Sequence, residues 1–141
     1  MAARYLLDAN ILIAALKGEP AALLNRLAAL APSRICLSSV VLAELLTGAE
    51  KSRNPEAKKA ALEEITRNME AVPFDHEAAL AYGKIRAVLE SKGQIVGPHD
   101  LLIAAQALSR DLVVVTANLR EFKRVPGLHC ENWMKQRDSR P

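Results

Sequence analysis

One acid set into an otherwise apolar opening constrains this chain more than any other feature. Tyr5-Leu6-Leu7-Asp8-Ala9-Asn10 runs directly into Ile11-Leu12-Ile13-Ala14-Ala15-Leu16. A short apolar run of the first kind reads as a buried strand, and the segment after it is long enough to begin a helix. Asp8 then stands where the strand ends. In parallel α/β sheets the carboxyl ends of the strands form the edge where ligands bind. An acid there can be a metal ligand, a nucleophile or a helix N-cap, since Asp and Asn are both favoured caps. The stretch alone leaves these three open.

The same alternation repeats along the chain. Lys17-Gly18-Glu19-Pro20 breaks the first helix, and Pro20 suits the first position of a second, running to about Leu30. Residues 34–37 form a short strand, and Ser38 or Ser39 caps a third helix that Gly48 is expected to stop. A charged helix covers 55–69 with Ala61, Leu62, Ile65 and Met69 inward, and 71–74 is an edge strand or extended link. Asp75 caps a long helix with Ala78, Tyr82, Ile85 and Leu89 on one face, and His76 reads as exposed in its first turn. Gly97-Pro98-His99-Asp100 opens the next helix, and the β-branched run Val113-Val114-Val115 is a central strand. A short helix covers 119–123 and a last strand lies near 128–131. From Asn132 the chain reads as loosening into a tail, with 1–133 one domain and 134–141 outside it. The order β-α-α-β-α-α-β-α-α-β-α-β argues an α/β sandwich whose central sheet is mostly parallel.

Composition narrows the function. Half of the 141 residues are hydrophobic, enough for a real core, but only 4% are aromatic, so stacking platforms for single-stranded bases are scarce. No apolar run approaches a membrane span, and Asp8 interrupts the one candidate signal sequence. A cytoplasmic protein with no membrane association is the expectation. Cys36 and Cys130 have neither metal nor redox spacing and read as free thiols. From residue 118 onward six basic residues face three acidic ones, which equals the whole chain's excess of +3. That quarter is compatible with phosphate contacts, and equally with a solvated surface.

Four isolated polar groups converge on one edge of such a sheet. Asp8 and Asn118 sit at strand ends, while Glu44 and Asp100 lie in strongly apolar helices that start from that edge. Glu44 has no Lys or Arg three or four residues away, and a buried acid is costly unless it is paired or bound to metal. Asp100 also fits as a first-turn dipole partner, and His99 reads as a rim residue. Carboxylates within ~5 Å repel by about 3 kcal/mol per pair at an effective dielectric near 20. Without a cation, at least one is expected to be protonated at neutral pH. An all-oxygen set suits Mg2+ or Mn2+, and metal-assisted phosphodiester hydrolysis is the matching reaction class.

The motifs Leu7-Asp8-Ala9-Asn10, Ala43-Glu44-Leu45 with Gly48-Ala49-Glu50, Gly97-Pro98-His99-Asp100-Leu101-Leu102-Ile103-Ala104-Ala105, and Thr116-Ala117-Asn118-Leu119-Arg120-Glu121-Phe122 leading to Trp133 occur in this order and spacing. In them the chain resembles PIN-domain ribonucleases of the VapC toxin type, from Tyr5 to Trp133. The resemblance implies a PIN-like α/β/α fold with Asp8, Glu44 and Asp100 as the catalytic and metal-binding acids, directly or through water. It also implies small polar helpers at Asn10, Ser39 and Thr116. It further implies Mg2+ or Mn2+, an RNA substrate (often tRNA), a homodimer, and inhibition by a cognate VapB-type antitoxin that can place a basic side chain in the acidic pocket. The chain departs from the pattern at Ala9, where Thr is more usual, and at Asn118, where many PIN domains carry a fourth acid. One firmly held metal is therefore expected in the free protein. The alternatives are an aspartyl-nucleophile phosphatase, which wants an acid where Asn10 stands, and a catalytically inactive RNA- or protein-binding PIN module.

Overall fold

The computed structural model describes residues 3–135. Its elements are β1 (Tyr5–Leu7), α1 (Ala9–Lys17), α2 (Ala21–Ala28), a 3-10 turn (Pro32–Arg34), β2 (Ile35–Ser38), α3 (Ser39–Glu50), α4 (Pro55–Thr66), β3 (Glu70–Val72), α5 (His76–Ser91), α6 (Pro98–Arg110), β4 (Val113–Val115), α7 (Leu119–Phe122) and β5 (Cys130–Glu131). This is the order read from the sequence. The strands form one sheet in the order β3-β2-β1-β4-β5, with every pairing parallel. Leu6 and Leu7 of β1, Cys36 and Leu37 of β2, and Val114 and Val115 of β4 are all buried. Continuous apolar runs of this kind mark strands covered on both faces.

The topology creates one special place. The chain builds outward from β1 to β2 and β3, then crosses back to lay β4 on the other side of β1. The connections therefore diverge between β1 and β4, and such a switch point opens a crevice at the carboxyl edge. Helix α6 precedes β4 and runs back along it, so its first turn reaches the same edge. Gly18 ends α1 at φ 78°, with its amide donating to the carbonyls of Ala14 and Ala15. That left-handed cap ends the helix.

Several local expectations need correction. Pro20 is the N-cap of α2 rather than its first residue, and α2 ends at Ala28. Gly48 does not stop α3, which continues to Glu50. Buried Ala49 and the ion pair between Glu50 and Lys59 hold that last turn against α4, and tertiary contact of this kind overrides a glycine's weak helix preference. Helix α3 is not buried all round, since Ala43, Leu46, Thr47 and Gly48 face outward, and Ala61 of α4 is exposed too. Cys36 and Cys130 are both free thiols.

The chain does not loosen at Asn132. Trp133 is 1% exposed. Its ring meets Tyr5 edge-on at 4.9 Å, and the Arg26 guanidinium lies 4.7 Å over it. Its Nε1 donates to Glu131 Oε1 at 2.9 Å, the oxygen that also accepts from Arg26 at 3.1 Å. Met134 packs against the core as well, and 136–141 lie outside the described residues. Trp133→Ala is expected to cost about 3–5 kcal/mol, read as a lower urea midpoint. An unchanged midpoint would mean that the segment contributes nothing to the fold.

Candidate active site

Each wall of the crevice comes from a different element. Asp8 follows β1 and caps α1, with Oδ1 accepting from the Ile11 amide at 3.2 Å. Its other oxygen accepts from the Thr116 hydroxyl at 2.5 Å. Thr116 follows β4 and is fully buried, and its Oγ1 also accepts from the Asn118 amide at 2.9 Å. Asp8 is therefore both a cap and a site residue, locked in place across the two strands that flank the switch point.

Opposite it stand the first turn of α6 and the start of α7. Asn118 is the N-cap of α7 by position, yet its side chain makes no capping bond. Instead its Nδ2 donates to Glu121 Oε2 at 2.6 Å and lies 3.5 Å from Asp100 Oδ2. Glu121 also accepts from the Gly97 amide, at the head of α6. The third wall is α3. Glu44 pairs with His99 Nδ1 at 2.9 Å, and its side chain is 33% exposed. Glu44 is thus not a buried acid, because the outward face of α3 and a histidine from α6 both solvate it. Asp8, Asn10, Glu44, His99, Asp100 and Glu121 line one cleft of about 300 Å3.

The chain and its fold match a known family. The PIN-domain family model matches residues 5–128. The chain belongs to the PIN-domain family. It is 46% identical over 130 residues to the tRNA(fMet)-specific endonuclease VapC of Salmonella typhimurium, covering 92% of this chain and 98% of that protein. It is 41% identical over 132 residues to ribonuclease VapC2 of Rickettsia felis, covering 93% and 98%. Among solved structures it resembles DNA-bound VapBC from Salmonella typhimurium, with TM-score 0.87, 45% identity, and 94% and 99% of the two chains covered. It also resembles VapBC2 from Rickettsia felis bound to a promoter DNA fragment, with TM-score 0.85, 40% identity, and 92% and 98% covered.

Within this PIN domain the expected site residues separate into those at the cleft and those behind it. Asp8, Asn10, Glu44 and Asp100 line it, and Thr116 and Asn118 brace it. Ser39 is in the first turn of α3 and does not line it. The neighbouring Ser38 is the cap, accepting from the Val40 and Val41 amides. Glu121 is the residue that sequence reasoning missed. It stood inside a quoted motif, and its signal was a carboxylate three residues after Asn118, one helical turn on.

The electrostatics follow from packing. Burial pushes the Asp8 carboxyl up, and the nearby Glu44 charge adds to this, against its hydrogen bonds from Thr116 and Ile11. Burial raises Asp100 to about 6, with Glu121 and Asp8 as further causes. Glu121 moves down, chiefly because the Gly97 amide donates to it. The upward movement of Asp8 and Asp100 is the direction expected of crowded, partly buried carboxylates without a cation.

Among the described residues no three His, Cys, Asp or Glu side chains are grouped as a formed metal centre. The donor chemistry nevertheless fits a divalent cation. Four carboxylates share the cleft, and among the described residues no Lys or Arg forms an ion pair with Asp8, Glu44 or Asp100. Hard oxygen donors of this kind suit Mg2+ or Mn2+. Each carboxylate oxygen also keeps a second lone pair beyond its present hydrogen bond.

The raised Asp100 value makes a stability statement for the metal-free protein. Folding tightens this group's hold on its proton, so its favourable contribution is complete below the unfolded value of 3.8 and is lost as pH rises through about 6. Asp100→Asn is expected to raise the melting temperature above pH 6 and to leave it nearly unchanged at pH 4. Thermal melts in EDTA across that range check this. A variant less stable than wild type at pH 7 would contradict it.

Proposed function

We propose that this chain is a metal-dependent endoribonuclease toxin, silenced by a VapB-type antitoxin, with Asp8, Glu44 and Asp100 holding Mg2+ or Mn2+. The observation that carries the reading is the acidic cleft itself. Its carboxylates come from separate elements, have no Lys or Arg ion-pair partner among the described residues and meet at the switch point of the sheet. The named activities of the relatives agree with it. RNA is the proposed substrate. A tRNA comes first among RNAs because a relative 46% identical is named for one.

When bound, the cation would lower the pKa of a water and neutralise charge on a phosphoryl oxygen. The chain's own part is orientation. Thr116 and the Ile11 amide hold Asp8 from both sides. The Asn118 side-chain Nδ2 and the Gly97 backbone amide hold Glu121 beside Asp100. Asn118 presents its nitrogen to the acids, so in this arrangement it acts as a donor between them. Arg120 of α7 and Lys123 just after it are exposed, where they can meet RNA phosphates.

The antitoxin reading has its own surface. An apolar groove adjoins the cleft through Glu44, lined by Ile13, Leu16, Leu45 and Leu62 of α1, α3 and α4. Ile13 and Leu16 are 38% and 40% exposed. An antitoxin segment lying there would bring a basic side chain to the acids. A homodimer is part of the same proposal, and so is a short neighbouring gene that encodes a DNA-binding antitoxin.

Asp8→Asn and Asp100→Asn should each lower RNA cleavage by roughly a hundredfold or more and abolish growth inhibition, with circular dichroism unchanged. EDTA should remove the wild-type activity and Mn2+ restore it. Full activity in either purified variant would overturn the metal-site reading, and no cleavage by the wild type would favour the inactive binding module. Asn118→Asp replaces the donor between Asp100 and Glu121 with a further charge. It should tighten Mn2+ binding and lower the melting temperature in EDTA. Calorimetric titration showing wild-type affinity would mean that Asn118 has no electrostatic part in the site.

A further inference from the structure

One buried polar side chain belongs neither to the cleft nor to the surface. Gln106 is fully buried in the middle of α6. Its Nε2 donates to the Val72 carbonyl of β3 at 2.9 Å, and its Oε1 accepts from the Ser38 hydroxyl at 2.5 Å. Ser38 ends β2 and caps α3, and its oxygen accepts from the amides of Val40 at 3.0 Å and Val41 at 3.4 Å. With its lone pairs turned to those amides, the hydroxyl sends its proton to Gln106. The orientation of the Gln106 amide follows, with the oxygen toward Ser38 and the NH2 toward Val72. A single side chain thus bridges α6, the head of α3 and the edge strand β3.

Those two helices carry facing acids. Glu44 lies six residues after Ser38, and Asp100 six residues before Gln106. At the cleft the helices meet again through the exposed pair of His99 and Glu44. Burial alone does not call for an amide at 106, because an apolar side chain of similar shape replacing a bonded pair can be nearly neutral. What the amide adds is direction, since its bonds have fixed lengths and angles whereas apolar contact lets helices slide.

We infer that Gln106 is a positioning residue. Through Ser38 it sets the spacing of α3 and α6, and with it the separation of Glu44 and Asp100 across the cleft. The functional consequence rests on the ribonuclease reading, while the spacing itself does not.

Gln106→Leu and Ser38→Ala each remove half of the tie, Ser38→Thr keeps the hydroxyl, and Leu23→Ala in α2 is a destabilised control. All are compared at the same interval below their own melting temperatures. In metal-free Gln106→Leu the NMR side-chain signals of Glu44 and His99 should move. Its kcat on RNA should fall roughly tenfold or more with KM within about twofold, and Mn2+ binding should weaken about fivefold or more. Ser38→Ala should behave alike, Ser38→Thr should stay near wild type, and Leu23→Ala should change none of these. Unmoved Glu44 and His99 signals in Gln106→Leu overturn the inference, as does an equal loss in Leu23→Ala. A wild-type chain that neither cleaves RNA nor binds Mn2+ overturns the ribonuclease reading instead, and the metal-free spectra still decide the role of Gln106.

Discussion

Mutual repulsion among carboxylates is the constraint on which this structure turns. Asp8, Glu44, Asp100 and Glu121 share a small cleft, and like charges this near one another destabilise the fold that holds them. The chain answers chiefly with hydrogen-bond donors. Thr116 and the Ile11 amide serve Asp8, Asn118 and the Gly97 amide serve Glu121, and His99 stands 2.9 Å from Glu44 as an ion-pair partner. Donors of this kind steady the anions without neutralising them. The cleft therefore keeps its negative potential for something that arrives from solution.

That potential has to be held by a rigid frame. Parallel strands buried on both faces supply it, because β1 cannot shift without disturbing β2 and β4 together. The side chains that fix the acids come from elements adjoining these strands. Cleft geometry and sheet geometry are consequently one problem, and a defect in the packing behind Thr116 or Gln106 is felt at the acids.

Much of this was legible in the residues. Short β-branched and apolar runs alternating with helical stripes lead to a parallel sheet, and the element order follows. Asp8, Glu44 and Asp100 stood out because each interrupts an apolar setting. Glu121 did not, since an acid in a short polar helix looks like ordinary surface until the fold brings Gly97 and Asn118 to it. Gln106 was hidden for the opposite reason: one amide in an apolar helix carries no periodic signal, and its partners are 34 and 68 residues away. The exposure of α3 and the burial of Trp133 were also misjudged. Both depend on which surface a neighbour covers, and local pattern does not specify that.

The strand order bears on when the cleft can exist during synthesis. The first strand made, β1, occupies the centre of the sheet, while its neighbour β4 and the outer strand β5 are among the last. Asp8 and the Thr116 hydroxyl that secures it are 108 residues apart. A nascent chain therefore carries its leading acid long before it has the means to hold it in place. The site is assembled only once β4 and the turn after it have been made, so the growing polypeptide elongates through three strands without it. Timing of this sort follows from strand order alone: an assembled cleft cannot precede the synthesis of the strand that closes it.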